Sequence, residues 1–227
     1  MIEPLKNLKN LVVVTGHFGS GKTNFAVNLA KAASIEGRQV TLVDLDIVNP
    51  YFRAADNVAE LTELGVNCVV PDFANTNVDI PTLPPAVMGA LEANVKEPDR
   101  LTVLDVGGDN GAVALGMYNR FFKEGEYDLL YVVNKYRPLT EDIEGAELTL
   151  REIEWSARLR ATAIVNNSNL GAITVPEDIT ETDGWANELA ERLGLPLLCT
   201  SVSETLVPKL GSIKNLFPIK NATKCIF

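Results

Sequence analysis

The chain has 227 residues, 46% of them apolar and 22% charged, with a formal net charge of −10. That composition is globular and excludes extended disorder, and the acidic balance argues against nucleic-acid binding through a broad basic surface. Cys68, Cys199 and Cys225 are widely spaced and contain no CxxC, which excludes the common zinc, iron–sulfur and thioredoxin-like spacings and predicts three reduced thiols.

In chain order, the opening MIEPLKNLKN predicts no secretory signal, because the apolar run that follows it is short and leads straight into glycines. No stretch approaches the length of a membrane span, so a cytoplasmic protein is expected. Short β-branched runs then alternate with longer amphipathic ones. Strands are expected over 11–15, 39–44, 67–70, 101–105, 128–134, 162–166 and 197–200. Helices are expected over 22–35, 54–64, 85–95, 112–123, 140–160 and 181–193, with Gly37, Gly65 and Gly194 as C-terminal stops. Thr140 is the expected N-cap of the helix from 140, which is expected to close on Arg151, Arg158 and Arg160. Stretches 71–84 and 167–176 read as irregular. Near the end, Gly211 and Pro218 interrupt a mixture of apolar residues and lysines (Lys209, Lys214, Lys220, Lys224), predicting a short strand and turns rather than a membrane-seeking helix. Strands such as LVVV and LLYVV are apolar almost throughout, as when helices cover both faces of a parallel sheet. One α/β domain spanning 1–227 is expected, with three layers and a mainly parallel sheet.

Gly16, His17, Phe18, Gly19, Ser20, Gly21, Lys22 and Thr23 fit GxxxxGK(S/T) in full, directly after a strand and opening a helix. Glycines let successive backbone N–H groups converge on phosphate oxygens. In that chemistry Lys22 reaches the outer phosphates, the Thr23 hydroxyl holds Mg²⁺, and the helix N-terminus adds positive potential. Asn24, next on the helix, joins the candidate nucleotide-binding set. A magnesium shell needs a carboxylate at the end of a neighbouring strand. Asp105 supplies it, followed by Gly107 and Gly108, with Asp109 as the alternative beyond the glycines. Asp44 and Asp46 end the second strand, and Asp46 is the candidate that orients or deprotonates an attacking water and, with Thr23 and Asp105, a candidate metal ligand. Asn49 and Arg53 fall in the loop after it, where Tyr51 and Phe52 are either exposed anchors or core.

On these motifs the sequence resembles the MinD/ParA-type P-loop ATPases, the CobQ/CobB/MinD/ParA nucleotide-binding family of the SIMIBI class. The resemblance covers most of the chain. It implies a P-loop NTPase fold, ATP and Mg²⁺ as ligands, a switch I aspartate at Asp46 and a switch II matched by residues 101–108. It further implies an adenine-contacting asparagine at Asn166 or Asn167. The family's second P-loop lysine, which reaches a partner subunit's nucleotide, is replaced by His17, the one histidine of the chain. His17 either donates to phosphate in its place, has no role, or marks a branch that forms no nucleotide-sandwich dimer. Guanine-reading members of the fold carry an aspartate where Asn134-Lys135-Tyr136-Arg137 has arginine, which favours adenine. The resulting expectation is a slow Mg-ATPase switch acting on a protein partner or cofactor, with a possible ATP-dependent homodimer. Alternatives are a small-molecule kinase or ligase on the same fold, or a module that binds nucleotide without hydrolysing it.

Overall fold

The computed structural model describes residues 1–45, 58–69, 85–97, 99–108 and 110–221. Eight strands form one sheet: β1 (Leu11–Gly16), β2 (Val40–Asp44), β3 (Asn67–Val69), β4 (Leu101–Gly107), β5 (Tyr127–Val133), β6 (Ala163–Asn166), β7 (Leu197–Ser203) and β8 (Leu216–Ile219). Their order is β3-β2-β4-β1-β5-β6-β7-β8, and every pairing is parallel. The strand preceding the glycine-rich loop is therefore internal, flanked by β4 and β5, as its wholly buried residues require.

The helices are α1 (Glu3–Lys6), α2 (Lys22–Ile35), α3 (Val58–Glu63), α4 (Pro85–Lys96), α5 (Asn110–Met117), α6 (Ile143–Ala157) and α7 (Pro176–Leu193). Alternation along the strands sends successive side chains to opposite faces. Val12, Val14, Leu42 and Val103 pack with Phe25 and Leu29 of α2 on one face. Val13, Val43, Leu104 and Tyr131 pack with α4 to α7 on the other, through Leu91, Leu115, Leu150 and Leu189. The result is a three-layer α/β fold. At the β8 edge, Phe217 meets Phe25 edge-on at 5.6 Å. The Asn28 side chain next to it clamps the backbone of Lys220, accepting its N–H at 2.9 Å and donating to its carbonyl at 2.8 Å.

Gly37, Gly65 and Gly194 all take left-handed φ after their helices, as expected. Four boundaries differ from the sequence reading. Helix α6 starts at Ile143, capped by Asp142, whose carboxylate accepts from Gly145 N at 2.7 Å. Thr140 lies instead in the 3-10 turn Pro138–Thr140 and donates to Asn134 O at 2.6 Å. The helix ends at Ala157, so Arg158 is its left-handed cap (φ 55) and Arg160 lies beyond it, paired with Glu154 at 2.7 Å. Helix α7 begins at Pro176, five residues before the expected start. Proline suits a first helical position, where its missing N–H costs nothing, and Asp178 accepts from Val175 N at 2.8 Å. The expected helix to residue 123 ends at Met117 and passes into the 3-10 turn Asn119–Phe121.

Candidate functional site

The site lies where β1 and β4 end side by side, with Gly16 and Gly107 in register. This is the point at which the chain, having built one side of the sheet, begins the other, and ligands of open α/β sheets bind at such reversals beyond the strand C-termini. The loop after β1 closes tightly: Ser20 N donates to His17 O at 3.0 Å, and Gly21 takes φ 85 immediately before α2. Any L residue at Gly21 would be strained by that φ, and its Cβ would collide with the Asn167 amide. A Cβ on Gly16 would collide with Val132 O and stand 2.7 Å from Ser20 Oγ.

Two side chains hold this loop from outside. Arg137 Nε donates to Gly19 O at 2.9 Å, and Asn167 Nδ2 donates to Ser20 O at 2.6 Å. Sequence reading had no means of finding either contact, because 118 and 147 residues separate the partners.

Lys22 and Thr23 are buried at the start of α2, and the Ser20 hydroxyl, also buried, has no hydrogen-bond partner among the described residues. Asp44 and Asp105 are buried and in register on β2 and β4. Strand alternation puts both on the α2 face with Leu42 and Val103, the side on which Thr23 begins its helix. Asp44 is a carboxylate the sequence reading passed over in favour of Asp46. Hydroxyl and carboxylate oxygens form a hard donor set that suits Mg²⁺. Among the described residues no three His, Cys, Asp or Glu cluster as a protein-only metal cage. A buried hydroxyl without a partner, glycines whose Cβ space is closed and a hard oxygen set together fit a phosphate chain with Mg²⁺.

Gly107 ends β4, and Gly108 lies directly on the loop, its Cβ position 2.6 Å from Gly16 O and 3.4 Å from His17 Cα. Phe18 is 54% exposed at the loop's tip. Asp46, Asn49 and Arg53 lie outside the described residues, as do Tyr51, Phe52, Asp109 and Cys225. Asn166 and Asn167 are both fully buried. The Asn166 side chain accepts from Ser168 N at 3.1 Å and donates to Thr182 Oγ1 at 3.5 Å; Asn167 accepts from Ser201 Oγ at 2.6 Å besides holding Ser20. In the next loop Asn134 accepts from Tyr136 N at 3.0 Å, and Lys135 pairs with Glu181 at 2.9 Å. Burial first, then Asp178 and Glu181, push the Tyr136 phenol above its ordinary value. It therefore stays protonated and donates to Asp178 O at 3.0 Å.

Two hollows flank the loop. On one side Asn24, Asn169, Ala172, Ser201, Ser203 and Thr205 border a cleft of about 180 Å³, with no charged side chain among its described lining residues. On the other, His17, Gly108, Val113, Leu139, Arg151 and Trp155 border a groove of about 540 Å³. That groove runs past Trp155, which is 85% exposed, into a second hollow of about 760 Å³ bounded by Arg158 and Arg160. Of the cysteines, Cys199 lies in the core on β7, where burial raises its thiol well above the ordinary value, and Cys68 is half-buried on β3. Among the described residues no helix is long and apolar enough to cross a membrane.

Comparison with known proteins agrees with this geometry. A model of the CobQ/CobB/MinD/ParA nucleotide binding domain matches residues 11–183. The chain is 27% identical over 201 residues to the iron–sulfur cluster carrier protein of Haemophilus influenzae, an alignment covering 86% of this chain and 46% of the carrier. It thus spans about half the length of that relative. Among solved structures, the signal recognition particle receptor FtsY of Elizabethkingia anophelis superposes with a TM-score of 0.56 at 19% identity, covering 97% of this chain and 67% of its own. The signal recognition particle 54 kDa protein of Aeropyrum pernix K1, in complex with GDP, gives 0.56 at 18% identity, covering 86% and 42% respectively. Likeness at those identities establishes the fold alone.

Proposed function

The chain belongs to the CobQ/CobB/MinD/ParA nucleotide-binding family, and from that premise we propose that it is a slow Mg-dependent ATPase that switches a partner protein or positions a cofactor. The observation that carries the switch reading is the seat of Gly108 on Gly16 and His17. The loop following Asp105 has no room to shift over the phosphate loop without moving the wall of the groove that begins there, lined by His17, Gly108 and Trp155. A change at the terminal phosphate is thereby read on an exposed surface.

In this reading Gly16, His17, Phe18, Gly19, Ser20, Gly21 and Asn24 surround the phosphates, and Lys22 neutralises the outer ones. Thr23, Asp105 and Asp46 would hold Mg²⁺, with Asp44 in register beside Asp105, and Mg²⁺ held there would offset the negative charge that develops on the phosphate. Asp46, two residues beyond Asp44, orients or deprotonates the attacking water; Asn49, Arg53, Gly107 and Gly108 belong to the loops that respond. Adenine is favoured because Arg137 occupies the place of a guanine-reading aspartate, and the neutral cleft beside Asn24 offers no carboxylate among its described residues to guanine's N1–H and N2–H donors. An iron–sulfur cargo draws no support from Cys199, whose thiol is sealed in the core. The open groove also keeps a second class in view, phosphate transfer to a small acceptor, although its Trp155 wall and breadth suit a protein surface better.

The test is the light-scattering mass of Asp46→Ala with Mg-ATP and with Mg-ADP, alongside turnover by the wild type and Lys22→Ala. Slow phosphate release lost in both variants, and a larger mass with ATP alone, supports the switch. Brisk hydrolysis by Asp46→Ala removes the water role. Phosphate appearing on an added metabolite, with no release in its absence, moves the protein to the kinase class.

A further inference from the structure

We propose that the hollow bounded by Arg158 and Arg160 docks an acidic segment of a partner protein, with carboxylates on the arginines and an apolar side chain on Trp155. The inference gives a chemistry to the partner of the switch proposed above, and rests on that reading only for its dependence on nucleotide. In a chain of net charge −10, the described lining of this hollow carries Arg151, Arg158 and Arg160 against a single carboxylate, Glu154. Glu154 is buried and already accepts from Arg160 at 2.7 Å, from Ala161 N at 2.9 Å and from Arg151 at 3.4 Å. The Arg158 guanidinium has no ion pair or hydrogen bond among the described residues. Its backbone adds a second sign. Arg158 closes α6 at φ 55, in the left-handed region where glycines close α2, α3 and α7. Glycine is unstrained there and arginine is not. The helix end alone would be better served by glycine, and the side chain that stands there instead lines the hollow.

The apolar half lies alongside. Trp155 is 85% exposed and Val113 57%, and both line this hollow and the neighbouring groove. Leu148, also exposed, precedes Trp155 by two helical turns and continues the same stripe of α6. An exposed indole beside guanidiniums is a composition that anchors protein contacts. An anionic lipid surface would meet Glu144 and Glu152, exposed on the same helix. A segment that sets its acids at the arginine end and its apolar side chain on Trp155 avoids them. A second copy brought up to the phosphate loop would leave the hollow uncovered. Helix α6 runs about 22 Å back toward the start of β6, and in this all-parallel sheet strand starts lie opposite the strand ends that carry the loop.

The experiment uses the full chain and a labelled random copolymer of glutamate and tyrosine as probe, with polyglutamate and phosphatidylglycerol vesicles for comparison. Affinities are read by anisotropy with Mg-ATP and with Mg-ADP, vesicle binding by co-sedimentation, alongside tryptophan emission and melting curves. The copolymer is expected to bind at least about tenfold more tightly than polyglutamate. It should also shift emission to the blue through Trp155, since Trp185, the other tryptophan, is buried already. Trp155→Ala and Arg158→Glu are each expected to weaken the copolymer by about tenfold, and Arg158→Gly by about threefold. Arg158→Gly should melt no lower than the wild type, because it relieves the left-handed residue. A lower melting temperature with unchanged copolymer affinity would give Arg158 to the helix end alone and overturn the proposal. So would absence of copolymer binding, polyglutamate bound as tightly, or vesicles bound in place of the copolymer, which assigns the face to a membrane. Loss of an ATP-dependent gain in mass in Arg158→Glu, with copolymer affinity unchanged, would place a second copy there instead. Equal copolymer affinity in the two nucleotide states leaves the docking intact and counts against the switch; a difference supports both.

Discussion

The two sides of the phosphate loop differ in size and in lining. The Asn24 side is a small cleft of about 180 Å³ with neutral polar walls, bordered by the ends of β7 and β8 and the turn Gly171–Ile173. The His17 side is three times as roomy at about 540 Å³, open, and walled by α5 and α6 with Val113, Leu139 and Trp155 exposed. A neutral cleft of that size accepts a planar group by shape and a few hydrogen bonds. An exposed tryptophan beside arginines has the composition of a protein-contact patch. Between the two, the loop itself is anchored on its outer carbonyls by Arg137 and Asn167, whereas the neighbouring Gly108 touches it by backbone contact. In the proposed function one side would recognise and the other report, with the loop dividing them.

The most damaging test of this division is Gly21→Ala. Its φ of 85 and the collision with Asn167 should lower affinity for both ATP and tripolyphosphate by about 100-fold or more, measured by calorimetry. Retained binding would mean that the loop rearranges and the anchored description is wrong. A mirrored pair then separates the sides. Ala172→Trp, which plugs the cleft, should weaken ATP by about tenfold and leave tripolyphosphate alone. Trp155→Ala should leave both affinities unchanged, shift stability by no more than about 0.5 kcal/mol, and abolish any ATP-dependent gain in light-scattering mass. An effect of Trp155→Ala on ATP affinity would join the two sides into one site. The smallest effect is expected from Asp142→Ala, which removes the cap of α6, the helix that carries Trp155. It should cost about 1 kcal/mol and about 2–4 °C of melting temperature, with ligand affinities unaltered.

What could be read from the chain was whatever is local. The glycine-rich loop, its strand and its helix are contiguous, so residues 11–35 carry their own evidence, and the apolar runs of β1, β4 and β5 announce a sheet covered on both faces. Cap assignments failed where two signals competed within a few residues. Thr140 and Asp142 both suit an N-cap, and only packing decided that the threonine bonds Asn134 while the aspartate caps. The start of α7 was legible in Pro176, Glu177 and Asp178, but Thr180, Thr182 and Gly184 dilute the helical signal that follows. The braces on Gly19 and Ser20 were beyond reach, since each joins the phosphate loop to the far half of the sheet. The family resemblance led to Asn166 or Asn167 as a base contact, and the buried hydrogen bonds of the pair emerge only once β6 is set beside β5 and β7.

The edges of the sheet bear on how copies of this chain can meet. An edge strand offers unpaired N–H and C=O groups to any passing strand, and long flat edges are starting points for runaway association. Here β8 has four residues, one of them Pro218, which lacks a donor, and the clamp from Asn28 engages the backbone of Lys220 directly beyond it. Fibril-like extension therefore has little purchase at the β8 margin.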